Sequence, residues 1–120
     1  MDFLAVALGG AVGSVTRYGV QTVFRAWLGA AFPWGTLVVN LLGSFLIGLC
    51  AALVERGWPG LRPWMMTGFL GGFTTFSAFS LENIQLLRNG QPLAFGGNIL
   101  LSITGGVLLA YAGYMVARAP

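Results

Sequence analysis

The chain has 120 residues, of which 57% are hydrophobic and only 8% charged, and its formal charge is +3. Soluble domains carry about 25% charged residues, and six arginines with three carboxylates cannot coat a water-facing surface, so a soluble domain is excluded. The absence of histidine, the single Cys50 and the wide separation of Asp2, Glu55 and Glu82 also exclude an imidazole base, a cysteine-based metal cluster and a paired-carboxylate enzyme, while no basic stripe is present for nucleic acid.

The first apolar stretch covers residues about 3–24, long enough to cross a hydrocarbon core of about 30 Å. It lacks a basic leading segment and exceeds a secretory h-region, so a membrane helix is expected rather than a cleaved signal. Gly9 and Gly13 have the spacing of close helix packing. Arg17 lies inside the stretch and has two readings: its head snorkels to the interface, or it lends positive potential to an anion pathway.

After a connector from Arg25 to Pro33, the second stretch covers about 34–53. Asn40 and Ser44 fall one turn apart on one face. The Asn40 amide either holds a helix interface or donates to a partly dehydrated anion.

The connector ERGWPGLRP leads to the third stretch, about 64–87, which contains GFLGGFTTFSAFSLEN from Gly68 to Asn83. Adjacent glycines and threonines near the middle of a span are poor helix formers. The Gly68 and Gly72 spacing also suits close helix packing, but Thr74, Thr75 and Ser77 beside them point to an interruption. Such a break is tolerated only inside protein or beside a cavity, where its freed carbonyls can hold a cation. Phe76 and Phe79 share a face, and their electropositive ring edges suit a small anion; the same spacing also suits a plain aromatic core. Arg88 to Pro92 then lead into the fourth stretch, about 93–116, where Asn98 and Ser102 form another one-turn polar pair that lines water or joins helices.

Trp27, Trp34, Trp58 and Trp64 mark the ends of the stretches, as interfacial indoles do. Connectors this short make successive helices antiparallel, so residues 1–120 are read as a single all-α membrane domain of four transmembrane helices with a break in the third. Arg56, Arg62 and Arg118 fall on one membrane face and Arg25 and Arg88 on the other, joined there by Arg17 if it snorkels that way. That near-balance leaves two orientations open: one fixed by the first helix or the insertion machinery, or both adopted, with oppositely inserted copies pairing as an antiparallel homodimer.

Three blocks, GGAVGSVTRY (9–18), GTLVVNLLGSFLIG (35–48) and GFLGGFTTFSAFS (68–80), resemble the signature segments of the CrcB/Fluc family of fluoride channels. The resemblance covers essentially the whole chain, in order. It implies a passive fluoride-selective channel in the inner (plasma) membrane that confers fluoride resistance. It also implies a dual-topology antiparallel homodimer in the lipid bilayer, with two pores and a central structural sodium ion. By position, Phe76 and Phe79 match the pore phenylalanines, Asn40 the pore asparagine, Arg17 the first-helix arginine and Glu82 the glutamate after the phenylalanine block. Thr75 and Ser77 belong to the same polar stretch, Asn98 and Ser102 to the fourth-span polar track, and the carbonyls of Gly71 and Thr74 match the sodium ligands. Ala78 stands where a threonine is common, and Asn98 where a tyrosine can occur. The competing reading is a proton-coupled efflux transporter of the small multidrug-resistance kind. Such a transporter needs a carboxylate in its first span, where this chain has Arg17 instead.

Overall fold

The computed structural model describes residues 2–120, and among them every regular element is helical. Helix α1 spans Asp2–Leu28 and α2 spans Trp34–Glu55. A third helix, α3, covers residues 62–73, and α4 follows at Phe76–Arg88. The last helix, α5, spans Pro92–Arg118. Helix α1 runs past its expected end near residue 24, because no glycine or proline occurs between that residue and Gly29. Gly29, Gly57 and Gly90 each take positive φ, one in each connector, where a side chain would be strained.

Three helices, α1, α2 and α5, are each long and apolar enough to cross a membrane, and the shorter α3 and α4 lie between α2 and α5 in the chain. The longest dimension of the molecule, 49 Å, is close to a bilayer of about 40–45 Å with its headgroups. Large apolar side chains such as Leu8, Val15, Leu100 and Leu108 point outward, as they must when the solvent is lipid.

Close approach between helices depends on small residues. Helix α1 packs on α3, and an added Cβ at Gly9 or Gly13 would run into the main chain of Trp64 or Phe69. Helix α2 packs on the C-terminal half of α5, where Gly48 and Gly113 face the carbonyls of Ala110 and Phe45. Without a hydrophobic driving force between helices in lipid, this backbone proximity is the source of packing energy. The interior that results centres on Val39, Cys50, Leu70 and Phe73.

Polar ties fasten both ends. At one end the Arg56 guanidinium donates to Ala117 O at 2.6 Å, placing a cation at the C-terminus of α5, and Tyr114 Oη donates to Glu55 Oε2 at 2.7 Å. At the other end α1, α2 and α4 are joined through Gln21, Thr36 and Glu82. Segments Arg62–Leu70 and Leu101–Gly105 are wound with wide, π-type turns, and both contribute to the wall of one groove.

Candidate functional site

The site is organised by two extended residues. Thr74 (φ −86°, ψ 157°) and Thr75 (φ −151°, ψ 118°) separate α3 from α4. An extended pair inside a membrane protein leaves main-chain donors and acceptors that lipid cannot satisfy. Asn40 on α2 supplies the partners: the Thr75 amide donates to Asn40 Oδ1 at 2.8 Å, and Asn40 Nδ2 donates to Thr75 O at 3.0 Å. The carboxamide thus acts as a one-residue strand beside the break. Thr75 also caps α4, its Oγ1 accepting from the Ala78 amide at 3.1 Å. The Thr74 hydroxyl donates back to Leu70 O at 2.9 Å, and Gly43 leaves room for the Thr74 methyl group.

Arg17 is turned into the protein. Its Nε donates to Gly72 O at 3.0 Å, so a half-buried cation stands at the C-terminal, electronegative end of α3. In a continuous helix Gly71 O would accept from Thr75 N, and Thr74 O from Ala78 N. Those amides donate instead to Asn40 Oδ1 and Thr75 Oγ1. The two carbonyls named by the family resemblance are therefore released from their helical partners by side chains. Neutral oxygens of this kind suit a hard cation. Among the described residues no group of three or more His, Cys, Asp or Glu side chains could hold a metal.

A groove of about 320 Å³ opens beside the break, and Asn40, Ser44, Thr75, Phe76, Phe79 and Ser102 are among its lining residues. The Phe76 and Phe79 ring centroids are 5.7 Å apart, with the planes tilted by 47°. Their environments differ: Phe79 is 8% exposed and packed, whereas Phe76 is 78% exposed at the groove edge. Ser77 is exposed and lies outside the lining, within 3.5 Å of Thr75 Oγ1. Asn98, 1% exposed, stands behind the wall: its Nδ2 donates to Asn83 Oδ1 at 2.9 Å, and its Oδ1 accepts from Ser102 at 3.4 Å.

Glu82 lies apart from this groove. It lines a second chamber of about 610 Å³, together with Gln21, Arg25, Thr36, Gln85 and Arg88. Gln21, Thr36 and Asn83 are absent from the residues singled out by sequence, yet two of them carried a signal. Thr36, Asn40 and Ser44 repeat every four residues along α2, and Gln21 follows Arg17 by four along α1. Each continues a polar stripe already visible at one end.

The family described as CrcB-like protein, Camphor Resistance (CrcB), matches residues 4–114. Among similar curated proteins, one from Leptospira interrogans named "Fluoride-specific ion channel FluC" is 50% identical, covering 98% of this chain and 94% of its own length. A protein of the same name from Magnetococcus marinus is 48% identical, covering 98% of each chain. Another so named, from Rhizobium etli, is 49% identical over 97% of this chain and 95% of its own.

Asn40→Leu keeps the bulk near the break and removes both bonds to Thr75. It should destabilise the fold by about 2–4 kcal/mol, since two main-chain groups lose their partners. Hydrogen exchange at the Thr75 amide, slow in the parent, should become fast. Unchanged exchange in the variant would remove the clamp from the account.

Proposed function

This chain belongs to the CrcB-like family, and from that membership we propose its function: it is a fluoride-specific ion channel, a passive conduit and not an enzyme. The observation that carries the reading is the groove at the break, where two phenyl rings, an amide and hydroxyls converge without a formal charge among them. The proton-coupled transporter is not favoured, because the relatives are named as channels and the first span carries Arg17 in place of an acid.

Fluoride is small and strongly hydrated, so a pore must replace its water at close range. Phe76 and Phe79 present ring edges that are positive without binding as tightly as a cation would. The N-terminus of α4 begins beside the groove and adds the positive end of a helix dipole. The second Asn40 Nδ2 proton, not used on Thr75 O, is available to the anion. Ser44, Ser102 and Thr75 extend the polar track, with Ser77 beside Thr75 outside the groove lining, Asn98 supporting Ser102 from behind and Glu82 at the chamber end. Arg17 contributes positive potential through the end of α3. A bore fitted to fluoride excludes the larger chloride sterically.

Two copies inserted in opposite directions complete the channel, as an antiparallel dual-topology homodimer in the cell's inner membrane. The exposure of Phe76 and Gly71 in one chain supports this, because both belong to the break yet have no cover within it. So does the three-against-two arginine balance across the faces. Gly71 O and Thr74 O from each copy would hold a structural sodium ion on the dimer axis, where it supplies fixed positive charge.

Purified protein in liposomes should discharge a fluoride gradient to an external electrode and leave a chloride gradient standing. Phe76→Ile and Phe79→Ile should each lower flux at least tenfold per folded dimer, since the aliphatic residues lack the ring-edge field. Phe79→Ile should also lower the stability of the fold, because Phe79 is buried within one chain, whereas Phe76→Ile should leave the fold of each chain unchanged. Near-parental flux in both variants would end the pore assignment. Gly90→Cys, on a short connector, should react with an impermeant thiol reagent in intact cells only in part, with the remainder reacting after lysis. Complete reaction from one side would exclude dual topology. Ion-substituted diffraction should place scattering density between the paired breaks, and an empty axis would remove the sodium ion.

A further inference from the structure

A directed hydrogen-bond chain runs from α1 through α2 to α4. Gln21 Nε2 donates to Thr36 Oγ1 at 3.0 Å, and the Thr36 hydroxyl donates to Glu82 Oε2 at 2.9 Å. Thr36 is 3% exposed, and its single proton cannot serve another acceptor while it holds the carboxylate. The other carboxylate oxygen, Glu82 Oε1, is buried without a partner among the described residues. Gly35 permits the chain, because a Cβ there would come within 2.6 Å of Gln21 Cα and push α1 away.

All three side chains line the chamber of about 610 Å³, where Arg25 and Arg88 also stand. Thr36 precedes Asn40 by one turn of α2, and Glu82 follows Phe79 by one turn of α4. The pair therefore occupies the level between chamber and groove. A carboxylate at that level has the wrong sign for an anion, and its effect depends on where its charge is held.

We propose that Gln21 and Thr36 are positioning residues for permeation, pinning the Glu82 carboxylate against α2 so that its charge stands beside the anion's route and not across it. Released, the carboxylate would swing into the chamber, oppose an entering anion and neutralise Arg25 or Arg88, which attract one. The inference rests on the fluoride-channel reading: a parent protein that passes no fluoride overturns that reading, whereas the variants below decide this one.

The test is initial fluoride efflux from liposomes, per folded dimer. Thr36→Val, matched in shape but lacking the hydroxyl, should reduce efflux on the order of tenfold. Thr36→Ser should recover most of what valine loses, and Gln21→Leu should move in the same direction as Thr36→Val. Raising an impermeant salt shortens the screening length from about 10 Å at 0.1 M to about 3 Å at 1 M and should restore much of the Thr36→Val loss. A packing defect would not respond to salt. In the Glu82→Gln background, adding Thr36→Val should change nothing further, because the charge to be restrained is gone. Parental flux in Thr36→Val, a salt-independent loss, or a full-sized loss persisting in the Glu82→Gln background would each overturn the proposal. If Glu82→Gln alone abolishes flux, the salt series decides.

Discussion

The paired hydrogen bonds between the Asn40 carboxamide and the Thr75 main chain are the constraint on which the rest of the site depends. A helix interrupted in the low-dielectric interior of a membrane protein leaves groups that would each cost several kcal/mol unpaired. One amide side chain meets both the donor and the acceptor of Thr75. With that residue held extended, its hydroxyl is free to cap α4, and the carbonyls of Gly71 and Thr74 lose their helical amides. A single side-chain contact thus turns a weak point in a helix into a set of aimed dipoles.

Those dipoles explain how a chain with few charges can deal with ions. The end of α3 is met by Arg17 at Gly72 O, and the start of α4 is capped by Thr75 Oγ1 at the Ala78 amide. Fixed partial charges of this kind stabilise a dehydrated ion without the deep well that a facing lysine or arginine would create. Arg25 and Arg88 stand further out, exposed in the chamber that Glu82 also lines, where access to water lowers the energy of placing them.

Glycine spacing serves the same end mechanically. Gly9 and Gly13 let α1 meet α3, bringing Arg17 within reach of the break. Gly43 accommodates the Thr74 methyl group, and Gly35 brings Gln21 to Thr36. Packing energy and site geometry therefore come from the same missing side chains.

How much of this was legible in the sequence follows from the range of each signal. Hydropathy, tryptophan positions and turn residues are local, so the membrane character, the four apolar stretches and the connectors could be read directly. The glycine and threonine block marked residues 68–83, and the four-residue stripe on α2 marked Asn40 and Ser44. What no local pattern could specify is partnership between distant segments. Asn40 and Thr75 are 35 residues apart, Arg17 and Gly72 are 55 apart, and Thr36 and Glu82 are 46 apart. Spacing of four along one helix says that polar groups share a face, and only helix packing decides what that face meets. It is packing that turned Arg17 toward the protein, set Asn98 behind the groove wall and left Phe76 open while Phe79 was buried. The chemistry was written in residue types; its direction was decided by which helices lie side by side.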